Sequence, residues 1–124
     1  MREILAYQEN RVMTQTPGRV VVMLYEGAIK FLRQAAAELE AGKYIEKGKS
    51  INRAVDIIQE LNVTLNMEAG GEIAKNLRRL YSFMLDCLFQ ANVRKDAGMI
   101  RQTLKLLEEL NEGWKAAASG KAAR

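Results

Sequence analysis

Histidine is absent from the sequence, and cysteine and proline occur once each, as Cys87 and Pro17. Without histidine the chain lacks the commonest general base and the commonest metal ligand of proteins. A single cysteine cannot form an intramolecular disulfide, which is compatible with a reducing compartment. Because proline breaks helices and no strand-like alternation is present, its scarcity favours an all-helical protein.

Candidate catalytic groups are missing too. Cys87 lies in an apolar stretch, where a thiol stays protonated and unreactive. Adjacent acids such as Glu108 and Glu109 point about 100° apart on a helix and cannot share a metal ion in the usual way. The Gly70-Gly71 pair lacks the spacing and the hydroxyl residue of a phosphate loop. We therefore predict that the protein is not an enzyme and binds no metal and no other cofactor.

Long apolar runs are also absent. The run Val20–Tyr25 has six residues, whereas a helix needs about 20 to cross a bilayer. Acids and amides occupy the first residues, where a secretion signal requires an apolar stretch. We therefore expect a cytosolic protein without membrane insertion.

Charge of one sign is not concentrated anywhere. Nineteen Lys and Arg residues against 15 Asp and Glu residues give a formal net charge of +4. The basic residues occur in small scattered groups such as Arg78-Arg79 and Arg94-Lys95, a distribution typical of solvated helix faces. We expect no nucleic acid among the partners, with a basic nucleic-acid-binding bundle left open as an alternative.

Turn and cap residues divide the chain into helical segments. Thr16-Pro17 is typical of a helix start and Gly42 of a helix end. Asp96 is a candidate N-cap for the last segment. The predicted helices cover 16–41, 43–67, 71–95 and 96–117.

Helices joined by such short links are antiparallel neighbours. The sequence therefore predicts an all-α fold, an antiparallel up-and-down four-helix bundle over 16–118. A short N-terminal segment (1–15) precedes the bundle and a frayed tail (119–124) follows it. We expect a single domain over 1–124.

The apolar stripes of these helices are wide. A bundle helix normally needs an apolar arc somewhat over 100°, and several arcs here approach half the circumference. Apolar surface beyond what the core needs is typical of a groove that binds the apolar face of a partner helix. Two alternatives stay open: a compact bundle covered by residues 1–15, and burial of the stripes by self-association. The seam of the third helix is predicted to comprise Ile73, Leu77, Leu80, Met84, Leu88 and Ala91.

Three strings carry a family resemblance. They are "AYQENRVMTQTPGRVVVMLYEGAIKFL", "INRAVDIIQELNVTLNMEAGGEIAKNLRRLY" and "LLEELNEGW". Together they closely resemble the FliS family, the flagellar secretion chaperones for flagellin. The similarity extends from about Ala6 to Trp114 with order and spacing kept.

The resemblance implies a chaperone that binds the disordered C-terminal segment of flagellin in a hydrophobic groove. It would prevent premature polymerisation and pass its client to the flagellar type III export apparatus. A further flagellar regulatory protein is left open as a partner. For client binding we expect residues beside the seam rather than in it, namely Tyr25, Ile29, Ala54, Ile57, Leu61, Leu106 and Leu110.

The resemblance also implies a role for the N-terminal segment. Ile4 and Tyr7 match the apolar and aromatic positions of a family stretch that lies near the client site. We expect residues 1–15 to cover the groove in the free protein and to contact the export gate after displacement. A plain N-terminal helix belonging to the core is the alternative.

Overall fold

The computed structural model of the protein describes residues 17–120. Within this range the chain forms four helices and no strand. The predicted all-α four-helix class is confirmed. Residues 1–16 and 121–124, and with them Ile4, Tyr7 and the Thr16 cap, lie outside the described residues. The helices are α1 (Pro17–Glu40), α2 (Tyr44–Val63), α3 (Met67–Arg94) and α4 (Ala97–Ala118).

Two predicted helix boundaries are confirmed by their backbone geometry. Gly42 adopts a φ of 75° after α1, a left-handed conformation that glycine reaches without a steric penalty. The Asp96 carboxylate accepts hydrogen bonds from the backbone N–H of Gly98 at 2.9 Å and of Met99 at 3.3 Å. These bonds satisfy two of the unpaired donors in the first turn of α4.

The start of α3 has a capped turn that the sequence did not predict. The Asn66 side chain accepts from the Ala69 N–H at 3.0 Å and caps a helical turn before the glycine pair. Gly71 then interrupts the helix with φ 54° and ψ −133°, a combination essentially restricted to glycine. The continuous part of α3 therefore starts after Gly71, close to the predicted start of the third helix.

The four helices form a closed ring in which each packs against two neighbours. Helix α1 contacts α2 and α4, and α3 contacts the same two helices from the opposite side. Helix α1 approaches its neighbours closely because it carries small residues. A Cβ added at Gly27 would lie 3.2 Å from the Ile57 Cδ1 of α2, and one at Gly18 would lie 3.3 Å from the Ala118 Cβ of α4.

The core fills the middle of the ring with side chains from all four helices. Its largest fully buried members are Tyr25, Leu32, Ile51, Ile58, Tyr81, Met84, Leu88, Ile100 and Leu107. Tyr25 of α1 and Tyr81 of α3 meet across the diagonal of the ring, with their hydroxyl oxygens 2.6 Å apart. The Trp114 ring of α4 lies 6.1 Å from the Tyr25 ring. This aromatic cluster ties three helices together.

Candidate functional site

A groove lies between each pair of neighbouring helices, and charge distinguishes the four grooves. The two grooves that border α1 are rich in charged side chains. The α1–α4 groove is lined mainly by Glu26, Lys30, Arg33, Glu108, Glu112 and Lys115, and the α1–α2 groove includes Glu38, Glu46, Lys49 and Arg53.

Polar contacts cross the grooves beside α1 and join α1 to its neighbours. Arg33 pairs with Glu108, and Arg101 pairs with Glu40, so two ion pairs join α1 to α4. On the other side Ser50 donates to the Glu38 carboxylate at 2.6 Å. These contacts turn α1 and its borders into a hydrophilic face, which is a poor site for an apolar partner.

The two grooves that border α3 are different. The α2–α3 groove, of about 250 Å³, has no charged residue in its lining: Ile51, Asn52, Val55, Gln59, Leu85, Leu88, Phe89 and Asn92. The α3–α4 groove, of about 360 Å³, is lined by Leu80, Phe83, Gln102, Lys105, Leu106 and Glu109. In a chain of which 27% is charged, an uncharged groove is a distinctive surface.

Helix α3 also exposes large apolar side chains on both of its flanks. Phe83 is 44% exposed on the α4 side, and Phe89 is 64% exposed on the α2 side. Ile73, which we predicted to lie in the bundle seam, is 71% exposed. That placement is wrong because the buried stripe of α3 reaches the start of the helix through Leu77 and Ala74, and Ile73 lies about 100° from Ala74 around the helix. Exposed apolar residues gathered along one helix mark a binding surface more often than scattered ones do.

Four of the seven residues expected at the client site lie in the core instead of beside it. Tyr25, Ile29, Ala54 and Leu61 are buried. Their placement beside the seam rather than in it is wrong, since each helix of the ring buries an arc against two neighbours and the centre. Tyr25 in addition has a buried hydrogen-bond partner.

The remaining three expected residues are half-buried. Ile57 packs against α1 at Gly27 and is separated from the grooves of α3. Leu106 lines the α3–α4 groove, and Leu110 packs at the edge of the core. The structure thus brings Leu106 together with Leu80 and Phe83, a combination that the stripe pattern did not single out.

The sequence patterns did not indicate Phe89 or the α2–α3 groove as part of a binding site. Phe83 and Phe89 are six residues apart, which places them about 120° apart around a helix. Two phenylalanines at this spacing lie near opposite edges of a wide apolar arc, and this signal could have indicated that α3 presents apolar residues to two sides.

The chemistry of the described residues is that of a binding surface. Residues 17–120 contain no group of three or more acidic or cysteine side chains placed to hold a metal ion. Burial, together with the nearby Asp86 charge, raises the pKa of the Cys87 thiol, so the thiolate needed for nucleophilic attack is disfavoured. None of the helices described is long and apolar enough to cross a membrane.

Comparison with known proteins decides the family. The family model described as "Flagellar protein FliS" matches residues 1–121. The chain belongs to the FliS family. FliS proteins are flagellar secretion chaperones, so the protein is a chaperone and not an enzyme.

Curated relatives agree with this assignment. The flagellar secretion chaperone FliS of Salmonella typhimurium is 41% identical over 108 residues, covering 86% of this chain and 80% of its own. FliS of Bacillus subtilis is 38% identical over 112 residues, covering 90% and 83%. A solved structure titled "Crystal structure of flagellar chaperone from bacteria" matches the fold with a TM-score of 0.79 at 21% identity. It covers 95% of this FliS-family chain and 98% of that one.

Proposed function

We propose that this FliS-family chaperone binds the disordered C-terminal segment of flagellin in the cytosol, with the client lying in the two grooves that flank α3. The single observation that carries the proposal is the contrast between the α1–α4 groove, whose lining is mostly charged, and the α2–α3 groove, whose lining has no charged residue. An amphipathic client helix buries its apolar face most favourably where few charges must be desolvated.

The thermodynamics of a disordered client favour the use of both grooves. Ordering such a segment costs about 2–5 kcal/mol, and coupled folding and binding typically buries on the order of 1,000–3,000 Å². One groove of about 360 Å³ offers limited contact, whereas a client that spans both flanks of α3 covers Phe83 and Phe89 together. Such wrapping would hold the client apart from other flagellin molecules until the export apparatus receives it.

Residues 1–15 have a regulatory role in this proposal. They cover part of the apolar surface in the free protein, with Ile4 and Tyr7 as anchors, and leave it when the client binds. The exposed segment then contacts the export gate. Hydrogen exchange tests the displacement: equal protection of residues 1–15 with and without the client would contradict it.

The central experiment is a calorimetric titration of the full chain with the C-terminal segment of the flagellin encoded in the same genome. We expect one-to-one binding with a gain of helix by circular dichroism. Phe83→Ser and Phe89→Ser should each weaken binding about tenfold or more, because burying a phenylalanine side chain contributes about 1.5–3 kcal/mol. Both variants should melt close to the parent temperature, since both side chains are exposed.

Val63→Ser is the matched control, because Val63 is 59% exposed at the end of α2 and lines neither of the α3 grooves. It should leave the client affinity unchanged. Equal loss in all three variants would contradict the assignment to α3. Absence of binding by a folded chaperone would favour self-association, which sedimentation of the client-free protein would reveal.

A further inference from the structure

Two lysines lie where the uncharged α2–α3 groove ends. The Lys47 ammonium of α2 donates to the Asn92 side-chain oxygen at 2.5 Å and to the Asn92 backbone carbonyl at 3.1 Å, and Asn92 itself lines the groove. The Lys95 ammonium, just after α3, lies 4.2 Å from the centre of the Tyr44 ring at the start of α2. Lys47 and Lys95 form the lysine end of the groove.

The lysine end has no counterion in the part of the chain that the structure describes. No carboxylate of residues 17–120 forms an ion pair with either lysine. Of the nearest acids in sequence, Asp96 caps α4, and Glu46 lines the α1–α2 groove on another side of α2. Loss of hydration, and then repulsion by Lys95, lowers the pKa of the Lys47 ammonium.

Lys47 has donor capacity left over. Its side chain is almost fully buried, at 4% exposure, and an ammonium group has three N–H donors. Asn92 accepts two of them, and the third has no partner among residues 17–120. A buried cation with a free donor beside a second cation favours an anionic ligand.

Backbone features at the same point add to the preference for an anion. Helix α2 begins at Tyr44, and its N-cap residue Lys43 forms no side-chain cap, so the positive end of the helix dipole lies near the lysines, with Glu46 as the one acid of the first turn. Lys95 has a left-handed conformation with φ 55°, at a helix end where glycine is the favoured residue. A lysine thus occupies a position where its backbone conformation has a steric cost.

We infer that the lysine end of the α2–α3 groove binds the terminal carboxylate of the client chain. The inference rests on the proposed function, in which a client helix occupies this groove. The groove is uncharged along its length, so it suits an apolar helix whose negative charge lies at the end that meets the lysines. A helix that ends there also places the negative end of its dipole against Lys47 and Lys95. The occupant therefore runs parallel to α3 and antiparallel to α2.

Two forms of one peptide test the inference. The probe is the last 40 residues of the flagellin encoded in the same genome, about enough for both grooves at 1.5 Å per helical residue, as the free acid and as the C-terminal amide. The free acid should bind the full chain about fivefold more tightly, as expected for a partly exposed charge pair. High salt should reduce this difference.

Variants of the chaperone connect the difference to the lysine end. Lys95→Gly removes one charge and suits the left-handed backbone, so the protein stays folded. The difference between acid and amide should fall to about twofold or less in this variant. Lys49→Met is the matched control, because Lys49 lies on the same helix as Lys47 but lines the α1–α2 groove. It should keep the fivefold difference.

The orientation of the bound peptide can be measured independently of its affinity. A spin label at the C-terminus of the peptide amide should broaden the amide resonances of residues 43–48 and 92–96, because the helix places its end there without the carboxylate. Equal affinity of acid and amide for the parent protein, an undiminished difference in Lys95→Gly, or broadening at the opposite end of α3 would each overturn the inference. Absence of binding by both peptides would instead overturn the proposed function itself.

Discussion

Tyr25 and Tyr81 form a buried pair whose hydroxyl groups satisfy each other at 2.6 Å. Both rings are almost fully excluded from solvent. A buried hydroxyl without a partner costs free energy, whereas a paired one is roughly neutral. The pair therefore favours the one arrangement of α1 and α3 in which the two groups meet.

Removing one hydroxyl of this pair should cost more than removing both. Tyr81→Phe leaves the Tyr25 hydroxyl buried and unpaired, and should lower the free energy of unfolding by about 1–2 kcal/mol. The double variant Tyr25→Phe/Tyr81→Phe should be less destabilised than the sum of the two single variants. Urea unfolding of the four proteins measures this coupling. Strictly additive losses would show that the hydroxyls do not interact.

Alkaline pH should act on the same pair. Burial, as the main cause, raises the pKa of both phenols above the ordinary value of 10.0. A raised pKa means that the folded state favours the neutral phenols, so their contribution to stability is complete below pH about 10. It is lost at higher pH, as the unfolded chain ionises first. Ultraviolet titration should find two of the four tyrosines un-ionised until the protein unfolds. Free titration of all four in the folded protein would contradict the buried pair.

The helices differ in how they meet their neighbours, and this difference creates the site. Helix α1 has Gly18, Gly27 and Ala28 at its contacts and packs closely, with ion pairs across its borders to α4. Helix α3 instead presents Phe83 and Phe89 outside the core. The grooves on both sides of the bundle are similar in volume, at about 270 Å³ between α1 and α4 and about 250 Å³ between α2 and α3, so the grooves differ in the charge of their lining and not in size.

The cap at the start of α4 offers a test at the level of a single helix. Asp96→Ala removes the acceptor for two backbone N–H groups and should destabilise the fold by about 1 kcal/mol, a typical loss for an N-cap. Asp96→Ser or Asn should recover most of that loss, since both residues can cap. Thermal or urea unfolding measures the difference. Equal stability of the Ala and Asn variants would mean that the cap contributes nothing.

Across the molecule as a whole, charge is distributed unevenly among the four grooves. Charged side chains predominate in the lining of the α1–α4 groove, whereas the α2–α3 groove has none and the α3–α4 groove has Lys105 and Glu109 beside its apolar residues. This separation of charged from apolar grooves lets a chaperone with many charged residues still offer apolar surface on the flanks of α3.

The separation predicts the thermodynamic signature of client binding. If the client buries about 1,000 Å² of apolar surface, the heat capacity of binding should be about −0.4 kcal/mol/K. Affinity should change little between low and high salt, apart from the contribution of the lysine end. Titrations at several temperatures and two salt concentrations measure both quantities. A steep salt dependence with little change in heat capacity would favour the basic nucleic-acid-binding alternative.

Local sequence was sufficient to predict the helices and the family. Cap and turn residues such as Asp96 and Gly42 interact with backbone groups a few residues away, so the local sequence is enough to predict their effect. The glycine pair correctly indicated an interruption near Gly71, whereas the turn that Asn66 caps before it was not predicted. Family strings spread over nearly the whole chain identified the chaperone without any knowledge of packing.

Which apolar residues are buried depends on the tertiary structure. Tyr25 was placed beside the seam, yet it lies at the centre because its partner, Tyr81, is 56 residues away. Phe89 borders an open groove because α2 opposes it with Val55 and two amide side chains. The lysine end likewise combines residues from two helices. Whether a side chain is buried depends on the residue that packs against it. That residue comes from a distant part of the chain, so the periodicity of a single helix cannot predict it.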